Sequence, residues 1–136
     1  MPQKPVREID GAVFDDLAGF YEDVSRKLVP GSFWGRNLDA FNDILRGGFG
    51  TPEGGFLLRW LNAERSKHQM GFPETVRYLE RKVRTCHPQN VSYVTEDLAR
   101  ARRSEGHTLF DILVEIVRCH GPGGDEADDG VALDLA

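Results

Sequence analysis

A compact apolar run, GFLLRW at residues 55–60, constrains the fold of this chain more than any other segment. Glycines precede the run, and its length and composition are those of a buried strand. Near-continuous apolar strands are typical of parallel sheets, because the helices that connect parallel strands cover the sheet. The sequence therefore predicts a strand here with helices packed over it.

Helical patterns account for most of the remaining chain. The predicted helices are residues 14–28, 38–45, 61–70, 72–86, 95–106 and 108–121. The apolar period is strongest in the last of them, where Thr108 and Asp111 resemble a capping box. Asn37 and Thr95 are expected to cap the helices that follow them.

Short runs near both ends of the chain, residues 6–11 and 131–136, predict two further strands. The order of elements is then strand, helix, helix, strand, helix, an insert, helix and strand. This alternation predicts an α/β domain with a small, three-stranded, mostly parallel sheet packed with helices. Because no internal repeat or linker divides the sequence, we expect a single domain over residues 1–136.

Charge and hydropathy exclude several classes of function. The net charge is −5, and an acidic protein is poorly suited to direct nucleic-acid binding, which depends on contacts to phosphate. Apolar runs are too short for a membrane-spanning segment, and the N-terminus lacks the apolar centre of a secretory signal. We therefore expect a cytoplasmic protein. Cys86 and Cys119 fit a reducing compartment, although a single disulfide between them remains an alternative.

No pattern of catalytic or metal-binding residues stands out. The glycine-rich residues 47–55 lie after a helix and lack the Gly-Lys-Ser/Thr of a phosphate loop. The pairs Cys86–His87 and Cys119–His120 resemble metal half-sites, but neighbouring side chains diverge on a helix and the pairs lie 33 residues apart. We therefore expect no metal, no cofactor and no catalytic activity.

Two aspartates lie on one face of the helix predicted at residues 38–45. Asp39 and Asp43 are four residues apart, a spacing at which like charges repel by roughly 0.2–0.5 kcal/mol. Asp43 also falls near the C-terminal end, which the helix dipole makes unfavourable for an anion. Two interpretations remain open: a solvated polar face in which Arg46 pairs with Asp43, or a surface kept for a partner.

The segment FWGRNLDAFNDIL, residues 33–45, resembles the signature of the barstar family, whose members are intracellular inhibitors of secreted ribonucleases. In that signature two aromatic residues and a glycine precede an asparagine, a leucine and an aspartate, and a second aspartate follows four residues later. The resemblance continues through FLLRWLNAERSK at residues 56–67. REIDG, LFDILVEIVRCHG and VALDLA resemble the family's first strand, last helix and last strand.

Residues at about 70–107 fall outside this resemblance and are predicted to form an extra helical insert on the surface. An alternative takes the helix at 72–86 as the family's last helix and VSYV at 91–94 as its last strand. The later helix is preferred because its apolar period is stronger, and because VALDLA then closes the chain as a core strand.

The resemblance implies a barstar-like α/β fold and a protein that inhibits rather than catalyses. Family members plug a ribonuclease active site with carboxylates that take the place of substrate phosphate. The implied partner is an extracellular, guanyl-specific, barnase-like ribonuclease of the same or a related organism, bound one-to-one by a protein that is a monomer when free. Asp43 would be the central phosphate mimic, with Asp39 beside it and Glu115 at the rim. The implied interface consists of Phe33, Trp34, Gly35, Asn37, Asp39, Asn42, Asp43, Arg46 and Glu115.

Three positions depart from the signature. Asn42 stands where the best-known member has tryptophan, Arg36 replaces an acid, and Arg46 stands where a small hydroxyl residue is expected. An arginine that faces a basic active site is unfavourable unless it points away or pairs with Asp43. These three departures leave the identity of the bound protein open. The alternative function is a barstar-like regulatory module with a non-nuclease partner.

Overall fold

Three parallel strands and six α-helices make up the fold in the computed structural model, which describes residues 4–136. In chain order the elements are β1 (Val6–Asp10), α1 (Leu17–Lys27), α2 (Leu38–Ile44), β2 (Leu57–Leu61), α3 (Ala63–Gln69), α4 (Phe72–Thr85), α5 (Val91–Arg102), α6 (Leu109–Cys119) and β3 (Ala132–Leu135). Two single-turn 3₁₀ helices lie at Pro88–Asn90 and Ala127–Asp129. Within the described residues, no helix has the length and apolar character needed to cross a membrane.

The strands lie in the order β1-β2-β3, and both neighbouring pairs are parallel. Trp60 of the central strand lies opposite Ile9 of β1 and Leu135 of β3. This arrangement confirms the predicted α/β fold with a small three-stranded parallel sheet. It also confirms the C-terminal residues as the third strand, whereas the alternative segment VSYV is the first turn of α5.

Only one face of the central strand is fully buried. Leu58 and Trp60 have no exposed surface, whereas the alternating residues Leu57, Arg59 and Leu61 are half-buried. On the second face the guanidinium of Arg59 pairs with Asp134 of β3 at 3.1 Å and with Glu8 of β1 at 3.5 Å. The prediction of a buried strand is therefore correct for one face only, since the arginine needs cross-strand acids and water on the other.

The indole of Trp60 is the centre of the hydrophobic core. Its ring stacks on Phe20 of α1 at a centroid distance of 5.4 Å and meets Phe110 of α6 edge-on at 5.1 Å. Its Nε1–H donates a hydrogen bond to Ser66 Oγ of α3 at 3.0 Å, so the polar end of the buried ring is paired. One side chain thus joins the central strand to three helices.

Helices α4 and α5 pack against each other around a small core of their own. Its buried residues are Leu79, Val94, Leu98 and Ala101. The predicted helical pair is therefore present within residues 70–107. The prediction of a helix over 95–106 capped by Thr95 is wrong, however, because α5 begins at Val91 and ends at Arg102. The earlier start places Val94 in the shared core and leaves Thr95 exposed within the helix.

The helical pair is attached to the rest of the fold by two buried hydrogen bonds at the start of α4. Glu74 Oε2 accepts the amide N–H of Leu17, the first residue of α1, at 2.9 Å. Thr75 Oγ1 accepts the amide N–H of Leu109, the first residue of α6, at 2.7 Å. Both donors are N–H groups that a helix cannot satisfy within itself. One turn of α4 therefore fixes the position of two other helices.

The predicted caps of two helices are confirmed. Asn37 Oδ1 accepts the amide N–H of Ala40 at 2.8 Å at the start of α2. Thr108 and Asp111 form a capping box at the start of α6. Helix α1 begins later than the apolar period predicts, because the side chain of Asp16 caps it.

Replacing Trp60 with alanine is expected to lower the free energy of unfolding by about 3–5 kcal/mol, because the change removes contacts with three helices and leaves a cavity. Urea unfolding followed by circular dichroism measures the loss. Tyr93→Ala on the exposed surface of α5 is the control, with an expected change below about 0.5 kcal/mol. A loss below about 1 kcal/mol for Trp60→Ala would contradict this description of the core.

Candidate protein-binding site

The second helix carries the two aspartates on its exposed side. Helix α2 has only seven residues, and its side chains Phe41 and Ile44 are fully buried in the core. Asp39 and Asp43 lie on the opposite side and are both exposed. The short amphipathic helix therefore presents two carboxylates on one face.

The two carboxylates have different surroundings. Asp43 Oδ1 accepts a hydrogen bond from Arg46 at 2.7 Å, and Arg46 also pairs with Glu126 at 2.8 Å. The hydrogen bond to Glu126 raises the pKa of the Arg46 guanidinium, so this cation stays charged. Among residues 4–136, Asp39 has no hydrogen-bond or ion-pair partner. One carboxylate is therefore already held by an arginine, whereas the other is open to a partner.

The loop before α2 presents one of its two aromatic residues and buries the other. Phe33 is 97% exposed, so its ring makes almost no contact within the protein. Trp34 is only 5% exposed, its Nε1–H donates to Ser25 Oγ at 2.8 Å, and its ring meets Tyr21 edge-on. The structure therefore places Trp34 as the anchor of the loop and Phe33 as its accessible ring.

A second exposed aromatic residue lies beside this loop. Phe49 is 40% exposed, and its carbonyl oxygen accepts a hydrogen bond from Ser32 Oγ at 2.5 Å. The glycine-rich segment thus lies next to the loop that carries Phe33. Phe49 was not predicted as part of this surface, and the one signal for it in the sequence is that the neighbouring glycines have no side chains to cover its ring.

Both arginines that depart from the family signature are paired with acids of this chain. Arg36 has a left-handed backbone conformation, with φ of 51°, and its guanidinium pairs with Glu22 of α1. Arg46 is shared between Asp43 and Glu126. Neither cation is therefore left without a counter-charge on this surface.

A buried histidine holds the C-terminal end of α2. His120, which ends α6, has no exposed surface. Its Nε2 lies 2.6 Å from Oδ1 of Asn42, and its Nδ1 lies 2.7 Å from Oδ2 of Asp129. The predicted position of this histidine at a helix end is correct. No local pattern in the sequence predicts that its side chain links α2 to the loop before β3. The half-buried Asn42 is occupied by this contact.

The same histidine belongs to the one converging set of potential metal ligands within residues 4–136, which is His120, Glu126 and Asp129. The 2.7 Å separation of Nδ1 and Asp129 Oδ2 is a hydrogen-bond distance, shorter than the separation of two ligands on a tetrahedral zinc ion, and Glu126 is already bonded to Arg46. The set is therefore explained as a hydrogen-bond network. Cys86 and Cys119 are free thiols outside it.

Glu115 on α6 extends the acidic surface beyond α2. Its side chain is exposed, and it lines the same cleft as Asn42. The predicted interface thus maps to α2, the loop before it and the neighbouring turn of α6. Gly35 is exposed on this surface, and a side chain there would be crowded, since a Cβ would lie 3.1 Å from both the Ala40 Cβ and the Asn37 side chain. Chemically, the surface offers carboxylate acceptors for guanidinium and ammonium groups.

The family model described as Barstar (barnase inhibitor) matches residues 4–95. No curated protein matches the chain. The match contains β1 to the first turn of α5, and with them every predicted interface residue except Glu115. The match also includes residues 70–95, so it gives no support for an insert over residues 70–107. That interpretation stays a prediction. The helix that packs beside α2 and leads into the third strand is α6, which lies beyond the match.

His120→Ala is expected to lower the free energy of unfolding by about 2–4 kcal/mol, because Asn42 and Asp129 both lose a buried partner. Hydrogen exchange should also show that the substitution increases the opening rate of α2 more than that of β2, relative to the wild-type protein. His107→Ala, at an exposed histidine just before the same helix, is the matched control with an expected change below about 0.5 kcal/mol. Equal effects of the two substitutions would show that the buried network does not hold α2.

Proposed function

The chain belongs to the barstar family, and on that premise we propose that it inhibits a secreted microbial ribonuclease by placing carboxylates of α2 in the basic active site. The implied target is a guanyl-specific, barnase-like enzyme of the same or a related organism, bound one-to-one. The protein has no catalytic role in this proposal, and it acts in the cytoplasm as a protection against the cell's own nuclease. The observation that carries the proposal is the exposed pair Asp39 and Asp43 on a helix that the family signature contains.

The chemistry of the target supports this assignment of roles. A ribonuclease has to gather cationic groups around the scissile phosphate, and a carboxylate can form charge-assisted hydrogen bonds with the same groups. Asp43 is the proposed central phosphate mimic because it stands at the second aspartate of the family signature. Arg46, which also pairs with Glu126, can give way to cations of the enzyme. Asp39, without a partner among residues 4–136, is the proposed second contact.

The remaining interface residues have supporting roles in the proposal. Phe33 offers an exposed ring for stacking against the enzyme, and Gly35 and Asn37 bring the backbone close to it. Trp34 holds the loop in position from within the core, and its buried ring offers little surface for contact with the enzyme. Glu115 provides a rim carboxylate. Asn42 and Arg46 contact the partner at the C-terminal end of the helix.

The two ends of α2 are fixed before any partner binds, which is typical of an inhibitor that presents a rigid surface rather than of a flexible binding segment. The start of α2 is capped by Asn37, and its end is fixed through Asn42 to a fully buried histidine. Carboxylates held in this way need little further ordering on binding, and the entropic cost of association falls accordingly.

We expect the purified protein to inhibit at least one guanyl-preferring microbial ribonuclease with an end point near one inhibitor per enzyme. Titration of cleavage of a fluorogenic RNA substrate measures the end point. The physical reason is that the acidic face of α2 matches the phosphate site that such enzymes share. No inhibition across a set of these enzymes would sink the proposal and favour the regulatory module with a non-nuclease partner.

Asp43→Ala and Asp39→Ala are each expected to weaken binding by about 2–4 kcal/mol, because each leaves cationic groups of the enzyme desolvated without a partner. Inhibition constants measured for each variant give the loss. Asp97→Ala is the matched control, since this aspartate is exposed on α5 and is unpaired among the described residues. Asp16 would be a poor control because it caps α1. Losses no larger than that of Asp97→Ala would place the interface elsewhere.

A further inference from the structure

A cleft of about 670 Å³ separates the acidic helix α2 from α4. Its floor is formed by apolar and aromatic side chains of α1, α4 and α6. These include Leu17, Tyr21, Tyr78 and Ile116. Asp39 of α2 and Arg81 and Lys82 of α4 line this cleft together with Arg36, which is paired with Glu22. The acidic face of α2 therefore shares this cleft, through Asp39, with two cations of α4.

The charges on the two sides of this cleft do not neutralise each other. Arg81 and Lys82 are exposed, and neither forms an ion pair within residues 4–136. Asp39 is likewise unpaired in the described part of the chain, although its charge, after burial, contributes to the raised pKa of Tyr78. Lys82 Nζ lies 5.7 Å from the ring centroid of Tyr78, so the ammonium group lies over an aromatic ring that also lines the cleft. Opposite charges thus face each other across an open cleft without closing it.

The position of the two cations is fixed by the fold. The first turn of α4 accepts amide N–H groups from the first residues of α1 and α6 in buried hydrogen bonds of 2.9 and 2.7 Å. These bonds hold the start of α4, and the helix carries Arg81 and Lys82 about two turns further along. A protein that docks on Asp39 therefore lies next to a cleft that these cations also line.

We propose that the bound ribonuclease carries a surface carboxylate beside its basic active site, and that this carboxylate enters the cleft to pair with Arg81 and Lys82. This inference rests on the proposed function, since it names a second contact of the same complex. The partner surface that fits is two-signed: cations opposite α2 and an acid opposite α4. Charge complementarity favours this occupant, because a second basic group in the cleft would face two unpaired cations.

Such an arrangement selects among nucleases that share one active-site chemistry. An enzyme whose active site is ringed only by basic groups would be attracted to α2 but repelled by α4. An enzyme with an acidic residue at the matching position gains a contact on both sides. Repulsion of the wrong partner is a common source of specificity between related complexes.

The double charge reversal R81E/K82E tests this proposal against a matched control, R84E/R102E. Arg84 lies on α4 outside the cleft and Arg102 ends α5; both are exposed and neither has an ion pair among residues 4–136. The two variants make the same change in net charge, so they alter long-range attraction to a basic enzyme equally. Inhibition and dissociation rates are measured with a guanyl-preferring ribonuclease that the wild-type protein inhibits.

We expect R84E/R102E to bind as tightly as wild type or more tightly, because the inhibitor becomes more acidic. R81E/K82E should bind roughly tenfold or more weakly than that control, mainly through faster dissociation. The neutral variant R81Q/K82Q should fall between wild type and R81E/K82E. Unfolding curves show whether each variant is folded, and the exposed sites predict that all are.

Two results would overturn the inference while leaving the proposed function intact. Equal binding of R81E/K82E and the control would show that the cleft makes no contact with the enzyme. Tighter binding of R81E/K82E than of the control would show that the α4 cations shield Asp39 instead of pairing with the partner. If the wild-type protein inhibits no such ribonuclease, the proposed function fails, and the cleft inference fails with it.

Discussion

A helix of seven residues is too short to be stable in water, so the acidic face of α2 exists only because the rest of the molecule holds it. Its apolar side packs into the core through Phe41 and Ile44. Its first turn is capped by Asn37, and the preceding loop is anchored by the buried indole of Trp34. Its last turn is tied through Asn42 to a buried histidine. The mild repulsion between the two aspartates is therefore borne by tertiary contacts that the isolated helix lacks.

Each of the two unusual arginines of this surface is balanced by an acid from another element of the fold, Glu22 for Arg36 and Glu126 for Arg46. Arg46 would oppose a basic partner if it stood alone, but it is shared between Asp43 and Glu126. Glu126 comes from the acidic loop before β3, which His120 also holds in place through Asp129. Arg46, just after α2, and the acidic C-terminal loop thus balance each other's charge. Binding can release Arg46 from Asp43 because Glu126 remains as its counter-charge.

Local signals were sufficient for the predictions that rest on neighbouring residues. The apolar run through Trp60, the capping box of Thr108 and the cap at Asn37 depend on residues a few positions apart, and the structure contains all three. The start of α5 was mispredicted because Thr95 is a good capping residue in isolation, while packing on α4 favours an earlier first turn.

Contacts between distant residues could not be predicted in the same way. His120 and Asn42 are 78 residues apart, and no local pattern announces that one buries against the other. The burial of Trp34 depends on Ser25 and Tyr21 of another helix, so the signature alone could not separate the anchor from the exposed Phe33. The acids of the candidate site were predictable because a family signature carries them. The cations that face them across the cleft were not, because the position of α4 follows from buried bonds to α1 and α6.

The α4–α5 pair makes up much of the connection between the second and third strands. The pair lies between β2 and β3, so the third strand has to pair with the second across the long connection from Leu61 to Ala132. Doubling a connection costs only about 0.6 kcal/mol of closure entropy, and the pair contributes an apolar core of its own. Helix α6 then returns the chain beside α2 and into the sheet. In the proposed complex α2 supplies the carboxylates and α4 supplies the cations beside Asp39, so the chemistry of binding and the choice of partner belong to different helices.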